Sequence, residues 1–363
     1  MPVFSRACPE GPSAMLRSLR AGLAAVLVAL IAGLSAAPAR AQVDAMSGLT
    51  LETVRARGYL ICASTDPLPG FAQLNADGRW TGFDIDFCRA VAAAVFGDPD
   101  RMEFRPLRGE SRFALLQAGD IDLVVRNAPW TMGRDSRYGA TYVGISFFDG
   151  QAFMVPQALG AVSAYELDNV KVCVLDGGEE LVRLRDFFFT NQVSYEEVLY
   201  EDREDLTVAY RTGFCDAVTT TASWLHAIRR SMPEPAAHRI LPERISKDAF
   251  GPVIREGDAQ WFDIVRWVLF ALINAEEVGV SSLNIESLSA AKTHSIRRLL
   301  GMEGNFGLGL GLSPTFISDV IRAVGNYGEI FNRNFGPDTG APVVRGQNAL
   351  WLNGGLLFAP PVE

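Results

Sequence analysis

Arg134 lies in the stretch VVRNAPWTMGRD, which begins at the end of an apolar run and ends at Asp135. The side chains between that run and Arg134 are small, polar or aromatic. They include Asn127, Trp130 and Thr131. The guanidinium of Arg134 presents parallel N–H donors that match the two oxygens of a carboxylate. Arg134 is therefore a candidate for binding a carboxylate, and the alternative is a surface arginine paired with Asp135. The elements around this stretch decide between these two roles.

Charge and residue content exclude several functions. The chain has 363 residues and a formal net charge of −9, so it is a poor candidate for binding nucleic acid or anionic lipid. It contains no nucleophile elbow and no Cys-x-x-Cys, and its three histidines are scattered. We therefore expect a protein that is not an enzyme and that uses no metal or other cofactor.

The first 41 residues have the pattern of a cleavable export signal. Arg17 and Arg20 precede the apolar run Ala21–Leu34, and an Ala-Arg-Ala site follows at 39–41. A membrane anchor is the alternative, but the run is shorter than the ~20 apolar residues that a spanning helix needs. We expect residues 1–41 to be removed on export.

Four cysteines remain beyond that segment, and an even number in an exported chain favours disulfides. We pair Cys62 with Cys88 and Cys173 with Cys215, which places one bridge in each half of the chain. The alternative is four buried free thiols.

Strands and helices alternate in two copies of a β-α-β-α-β unit. The first copy comprises Tyr59–Ala63, Asp84–Phe96, Met102–Pro106, Arg112–Gln117 and Ile121–Val125. The second copy begins at Val170 and runs through a helix that ends near Arg230. This order predicts parallel strands with helices on both faces. Two extended apolar segments, Ser146–Val155 and Gly251–Arg255, are the candidate crossings between the copies.

Five segments carry a resemblance to a known family. They are LETVRARGYL from Leu51, WTGFDIDFCRAVAAAVFGDP from Trp80, GDAQWFDIVRWVLFALINAEEVG from Gly257, AVGNYGEIFNRN from Ala323 and NALWLNGGLLFAPP from Asn348. With these segments the chain resembles the periplasmic solute-binding proteins (family 3) of polar or general L-amino-acid ABC transporters, over nearly its whole length.

The resemblance implies an α/β, two-lobe periplasmic binding protein fold of type II, with two hinge strands and mixed sheets flanked by helices. Lobe one would comprise residues 42–152 and 254–363, and lobe two residues 153–253. A small-molecule ligand would bind in the cleft between the lobes, where strands end, and closure would bury it. The resemblance also implies a periplasmic monomer that docks on an ABC permease in the inner membrane.

Residues of the first lobe receive roles from the resemblance. Arg134 matches the arginine that clamps the α-carboxylate of the ligand, and Asn127 and Thr131 match polar positions that help to hold it. Trp130 would form a wall of the cleft, and Phe71 an aromatic platform. Another possible cleft carboxylate is Asp66, for which turn formation is an equally good interpretation.

Three cleft positions depart from the family pattern. Pro129 replaces a hydroxyl residue, and Thr221 occupies the position of the aspartate that pairs with the ligand's ammonium. In lobe two, a loop that is usually rich in threonine reads LDGGEE and is followed by a helix. Because an unpaired buried ammonium costs several kcal/mol, either another acid replaces the missing aspartate or the ligand carries no ammonium there.

The candidates for contacts in that loop are Asp176, Gly178 and Glu179, with Glu180 as a further acid. Acids at the start of a helix are also stabilised by the helix dipole, so helix capping is the alternative role for Asp176 and for the two glutamates.

These observations predict a periplasmic receptor that captures a small polar ligand, an amino acid or related carboxylate, and delivers it to an ABC importer. The first alternative is a receptor of the same fold that has lost ligand binding or signals to a membrane partner. The second is an enzyme similar to the cyclic-carboxylate dehydratases of this fold, for which the chain offers no catalytic motif.

Overall fold

The computed structural model describes residues 49–64, 67–107, 111–125, 129–339 and 342–363. The predicted export signal and the predicted site residues Asp66 and Asn127 lie outside these ranges. The α-helices are α1 (Leu49–Arg57), α2 (Phe83–Phe96), α3 (Ser111–Ala118), α4 (Met132–Arg137), α5 (Glu179–Asn191), α6 (Arg203–Arg211), α7 (Ala222–Ser231), α8 (Ala259–Glu277), α9 (His294–Leu299), α10 (Phe306–Gly309), α11 (Phe316–Val324) and α12 (Tyr327–Phe335).

The strands are β1 (Leu60–Ser64), β2 (Gln73–Leu74), β3 (Trp80–Thr81), β4 (Met102–Pro106), β5 (Leu123–Val124), β6 (Ala140–Tyr142), β7 (Phe147–Asp149), β8 (Gln151–Pro156), β9 (Val170–Leu175), β10 (Tyr195–Tyr200), β11 (Ala217–Thr221), β12 (His238–Ile240), β13 (Asp248–Phe250) and β14 (Val253–Arg255).

Lobe one is built on a five-stranded sheet with the order β4-β1-β5-β14-β6. Strands β4, β1 and β5 are parallel, as the alternation of strands and helices predicts. Strand β14 is antiparallel to both β5 and β6, because the chain re-enters this sheet after passing through the other lobe. Helix α8 packs on the sheet through Trp261, whose indole N–H donates to the Asp122 carbonyl at 3.0 Å.

Lobe two repeats this arrangement in a second five-stranded sheet with the order β10-β9-β11-β8-β12. Strands β10, β9 and β11 are parallel, and β8 runs antiparallel to β11 and β12. Both lobes therefore have mixed sheets in which the parallel strands end at one edge.

A separate two-stranded ladder, β7 with β13, carries the two crossings between the lobes. The predicted second crossing, Gly251–Arg255, is displaced: the crossing strand is β13, and Val253–Arg255 belongs to the sheet of lobe one. Gly251 lies between them at a close approach, because a Cβ at this position would be 1.8 Å from the Gly144 carbonyl oxygen. The turn from hinge to sheet therefore requires glycine.

Each lobe contains one disulfide, and the pairs are those that the sequence predicts. Cys62 on β1 is bonded to Cys88 on α2, with a Cα–Cα distance of 6.0 Å. Cys173 on β9 is bonded to Cys215, just before β11, with a Cα–Cα distance of 5.8 Å. In both lobes the bridge ties a central strand of the parallel set to a neighbouring element of the same lobe.

Mass spectrometry of a non-reduced digest is expected to yield two linked peptide pairs, Cys62 with Cys88 and Cys173 with Cys215. The same digest after reduction serves as the control, because it should release all four peptides. Alkylation of four cysteines in the unreduced, unfolded protein would contradict this prediction.

Candidate functional site

The carboxyl ends of parallel strands from both lobes bound one region of the molecule. In lobe one these are the ends of β1 and β5, and in lobe two the ends of β9 and β11. Ligands of open α/β sheets bind at this edge, where loops replace the ladder. The side chains on the described parts of those loops therefore form the candidate site.

Arg134 lies half-buried on α4, one turn after the loop that follows β5. Thr131 caps the helix, and its hydroxyl oxygen accepts a hydrogen bond from the Arg134 N–H at 3.3 Å. One guanidinium nitrogen, Nη1, donates to the Pro129 carbonyl at 3.3 Å. Within the described ranges, the guanidinium forms no ion pair with Asp135 or any other carboxylate. Its remaining donors are therefore available to an anionic ligand.

Trp130 stacks on Tyr142 with ring centroids 5.2 Å apart and an interplanar angle of 5°. The indole remains 38 % exposed, whereas Tyr142 is buried. The backbone N–H of Trp130 donates to the Ala249 carbonyl on hinge strand β13 at 2.8 Å, and the Tyr142 hydroxyl donates to the Pro129 carbonyl at 3.3 Å. These contacts fix the loop that carries Arg134 relative to the hinge. Pro129 offers no hydroxyl, but its carbonyl accepts from two donors.

Phe71 lies in the aromatic core of lobe one, with 1 % of its surface exposed. Its ring centroid is 5.0 Å from that of Phe147 and 4.7 Å from that of Phe335. The structure therefore places this ring among core residues and not beside Arg134. In this conformation it offers almost no surface to a ligand, and its role as a platform stays a prediction.

The loop at the start of α5 divides into outward and inward residues. Asp176 is exposed, and Gly178 is the N-cap residue of the helix. The side chain of Glu179 is 79 % exposed and lies 3.6 Å from Arg183, one turn later on the same helix. Glu179 thus has the position of a surface helical acid, whereas Glu180 turns toward the sheet.

Glu180 is the centre of a polar cluster at the carboxyl edge of β11. One carboxylate oxygen, Oε1, accepts from the Thr220 hydroxyl at 2.8 Å and lies 3.7 Å from Arg203. Arg203 also donates to the Thr220 hydroxyl at 2.8 Å, and its guanidinium lies 4.5 Å from the centre of the Trp224 ring. The other oxygen of Glu180, Oε2, is buried and has no hydrogen-bond donor in the described part of the chain.

Gln151 adds a second acceptor beside Glu180. Its side-chain amide donates to the Glu180 carbonyl at 2.8 Å and to the Thr219 hydroxyl at 3.1 Å. The amide oxygen, Oε1, is buried without a donor among the described residues. Buried acceptors normally have donors, so two unsatisfied ones in one cluster indicate a place for a donor-rich group or for water.

Thr221 ends β11 and is the N-cap residue of α7. Its hydroxyl lies 3.4 Å from that of Ser223, and no described acid is hydrogen-bonded to it. The nearby Asp149 accepts from the backbone N–H of Ser223 at 3.3 Å and from that of Gly150 at 2.9 Å. Because the Asp149 carboxylate already accepts hydrogen bonds from backbone N–H groups, it is a poor replacement for the aspartate that the family pattern has at the position of Thr221.

The sequence did not single out Gln151, and it left Glu180 between a ligand contact and helix capping. The order Asp-Gly-Gln after the hinge strand is visible in the sequence, but nothing in it says which face of β8 is covered. Which of two adjacent glutamates faces the sheet depends on how α5 is rotated, and that follows from packing.

Within the described ranges, no group of three or more histidine, cysteine or acidic side chains is arranged to hold a metal ion. No helix described here is long and apolar enough to cross a bilayer.

Comparison with known proteins identifies the family. The sequence pattern of the bacterial extracellular solute-binding proteins, family 3, matches residues 60–280. The chain belongs to this family. Its fold is accordingly that of a type II periplasmic binding protein, with two α/β lobes, mixed sheets and two hinge strands.

Two characterised relatives of this family-3 chain match it along almost their whole length. A general L-amino acid-binding periplasmic protein, AapJ, of Rhizobium johnstonii is 43% identical over 336 residues, which cover 92% of this chain and 98% of the relative. The glutamate/glutamine/aspartate/asparagine-binding protein BztA of Rhodobacter capsulatus is 45% identical over 336 residues, covering 92% and 96%.

A solved structure gives the same result for the fold. The periplasmic binding protein of an ABC transporter from Brucella ovis, with glutathione bound, has a TM-score of 0.81 and 43% sequence identity. The match covers 86% of this chain and 99% of that one.

Proposed function

We propose that this protein is a periplasmic receptor that binds an amino acid or a related small carboxylate and delivers it to an ABC importer. The observation that carries the proposal is the half-buried Arg134, which is held beside the stacked Trp130 and Tyr142 and has no described carboxylate partner. A guanidinium with free donors at a ligand-binding edge pairs with a carboxylate in bidentate geometry. Family membership and the amino-acid receptors among the relatives support this assignment.

The ammonium of the ligand would be received by lobe two in a changed way. Thr221 supplies no charge, whereas Glu180 supplies a carboxylate with one unsatisfied buried oxygen, and Gln151 adds a neutral acceptor. Donors of an ammonium group would satisfy both acceptors and reduce the cost of burying them. We therefore assign the ammonium contact to Glu180, and regard the exposed Asp176 and Glu179 as solvent-facing acids.

Lobe closure about the hinge ladder would complete the site. We propose lobe one at 42–152 and 254–363, and lobe two at 153–253, with β7 and β13 as the segments that bend. An α-amino acid would then span the cleft, with its carboxylate on Arg134 of lobe one and its ammonium on Glu180 of lobe two. The closed form would dock, as a monomer, on the permease in the inner membrane.

The proposal is tested by a thermal-shift screen of the exported protein. The panel contains L-amino acids, dicarboxylates, betaines and polyamines. A ligand at about 100 times its Kd adds about 2.7 kcal/mol to stability, so a true ligand raises the melting temperature measurably. We expect at least one L-amino acid to do so.

Other outcomes separate the alternatives. A rise in melting temperature with polyamines alone would contradict a carboxylate receptor, and no rise with any class would favour a receptor that has lost binding. Ligand recovered chemically unchanged after long incubation is the expected result for a receptor, whereas conversion would indicate an enzyme.

A further inference from the structure

A cavity lies between α7 and the chain segment after α12. Its volume is about 490 Å³, and β7 of the hinge and the loop after β12 form its other walls. The charged side chains of its lining are four arginines and one acid, together with a histidine: Arg229, Arg230, Arg244, Arg345, Asp149 and His226. A basic cavity in a chain with a net charge of −9 is not explained by composition.

Two of these arginines are already engaged. Arg345 forms a two-point ion pair with Glu276, in which one nitrogen–oxygen distance is 3.1 Å. Arg244 donates to the carbonyl oxygen of Leu241 at 3.1 Å. The one acid of the lining, Asp149, accepts from backbone N–H groups of the hinge and α7. Arg345 therefore has a carboxylate partner, Asp149 has backbone donors, and Arg244 has backbone carbonyl acceptors.

Arg229 and Arg230 differ from them. Both are half-buried at the C-terminal end of α7, and neither forms an ion pair or a side-chain hydrogen bond with any described residue. The helix dipole favours cations at such an end, but it supplies no hydrogen-bond acceptor for the two guanidinium groups that border the cavity. Burial lowers the pKa of Arg229, which reflects the loss of water around a charge without a counter-ion.

His226, one turn earlier on α7, also borders the cavity and has a buried Nδ1 without a hydrogen-bond partner among the described residues. Burial, with smaller contributions from Arg229 and Arg244, lowers its pKa to about 3. The imidazole is therefore neutral at physiological pH, and an anion beside it would reverse the electrostatic part of that shift.

We propose that this cavity binds a small di- or tricarboxylate, held by Arg229 and Arg230. Two adjacent guanidinium groups match two carboxylates. The apolar part of the lining, which includes Phe148, Leu241 and Val343, favours an organic anion over an inorganic one. Arg134, Glu180 and Gln151 are not among the lining residues of this cavity, although Phe71 and Asp149 are. The proposal does not rest on the proposed function.

Both lobes contribute to the cavity. Helix α7 belongs to lobe two, whereas the segment with Val343 and Arg345 follows the last helix of lobe one. An anion bound between them contacts both lobes in the arrangement seen here. Because the anion binds this arrangement of the lobes more tightly than an arrangement in which they are apart, it stabilises this arrangement and acts as an effector of lobe closure.

The test is a calorimetric titration of the exported full chain with citrate, succinate and inorganic phosphate. We expect citrate to bind, and the double variant Arg229→Gln/Arg230→Gln to raise its Kd at least about tenfold, the effect of 1.4 kcal/mol. Arg211→Gln, which removes an exposed arginine from α6 of the same lobe, is the matched control and should leave the Kd unchanged.

Two results would overturn the proposal. They are the absence of citrate binding and equal citrate affinity in the double variant. Phosphate that binds as tightly as citrate would overturn the organic class of the ligand. If the double variant does not fold, Arg230→Gln replaces it, and histidine NMR of the wild-type chain gives a second measurement: bound citrate should raise the pKa of His226.

Discussion

Arg134→Ala is expected to weaken binding of the ligand by about 2–5 kcal/mol, which corresponds to roughly 30- to 3,000-fold in Kd. The variant removes both donors of a bidentate carboxylate contact and leaves a desolvated carboxylate without a charge partner. The loss should be seen for every carboxylate ligand that the screen identifies. Isothermal titration of the exported protein measures it directly.

Arg137→Ala provides the matched control for this variant. Arg137 lies on the same short helix, three residues further on, and its side chain is exposed. Both variants remove one positive charge, so long-range attraction of an anion changes equally in the two. Among the described residues the guanidinium of Arg134 makes one hydrogen bond, to the Pro129 carbonyl, so its loss should cost the unliganded protein no more than about 1 kcal/mol. An Arg134→Ala variant that binds as well as Arg137→Ala would refute the clamp.

Helices with strong local signals were predictable from the sequence. The sequence predicts a helix over Glu179–Asn191, where two glycines precede an amphipathic run, and α5 has these bounds. Helix α2 begins one residue earlier than predicted. The hairpin of β2 and β3 was missed because its strands have two residues each, too few to show an alternating pattern.

The parts that sequence reasoning could not supply depend on distant contacts. Phe71 follows the loop after β1, as a platform residue should, yet Phe335 and Phe147 enclose its ring. The crossing strand β13 is recognisable as a strand only through its pairing with β7. The basic cavity likewise requires α7 and the C-terminal segment to meet, although the two arginines at the end of α7 are visible in the sequence.

The choice between neighbouring acids has a consequence for ligand specificity. Glu180 holds a buried oxygen without a described donor, whereas Glu179 points to solvent beside Arg183. If Glu180 receives the ammonium, it replaces the aspartate that the family pattern has at the position of Thr221. The carboxylate then comes from α5 and not from the end of β11. The protein then keeps an amino-acid ligand despite departing from its family at that position.

Glu180→Gln is therefore expected to raise the Kd of an amino-acid ligand by roughly 10- to 100-fold, since about 1.4–2.8 kcal/mol of charge-assisted hydrogen bonding is lost. The substitution is nearly isosteric, and the new amide oxygen can still accept from the Thr220 hydroxyl. The affinity for the corresponding des-amino acid, which carries no ammonium, should not fall. Titration of both compounds against both proteins measures the difference.

Glu179→Gln removes the same charge one residue away, and it should leave both affinities unchanged. Adding Thr221→Asp to the Glu180→Gln variant returns a carboxylate to the family position and should restore part of the amino-acid affinity. Rescue of the amino-acid affinity with no change in the des-amino affinity would assign the effect to the ammonium, because only that group distinguishes the two ligands. Equal weakening of both ligands by Glu180→Gln would instead mean that Glu180 supports the sheet edge and that the ammonium is bound elsewhere.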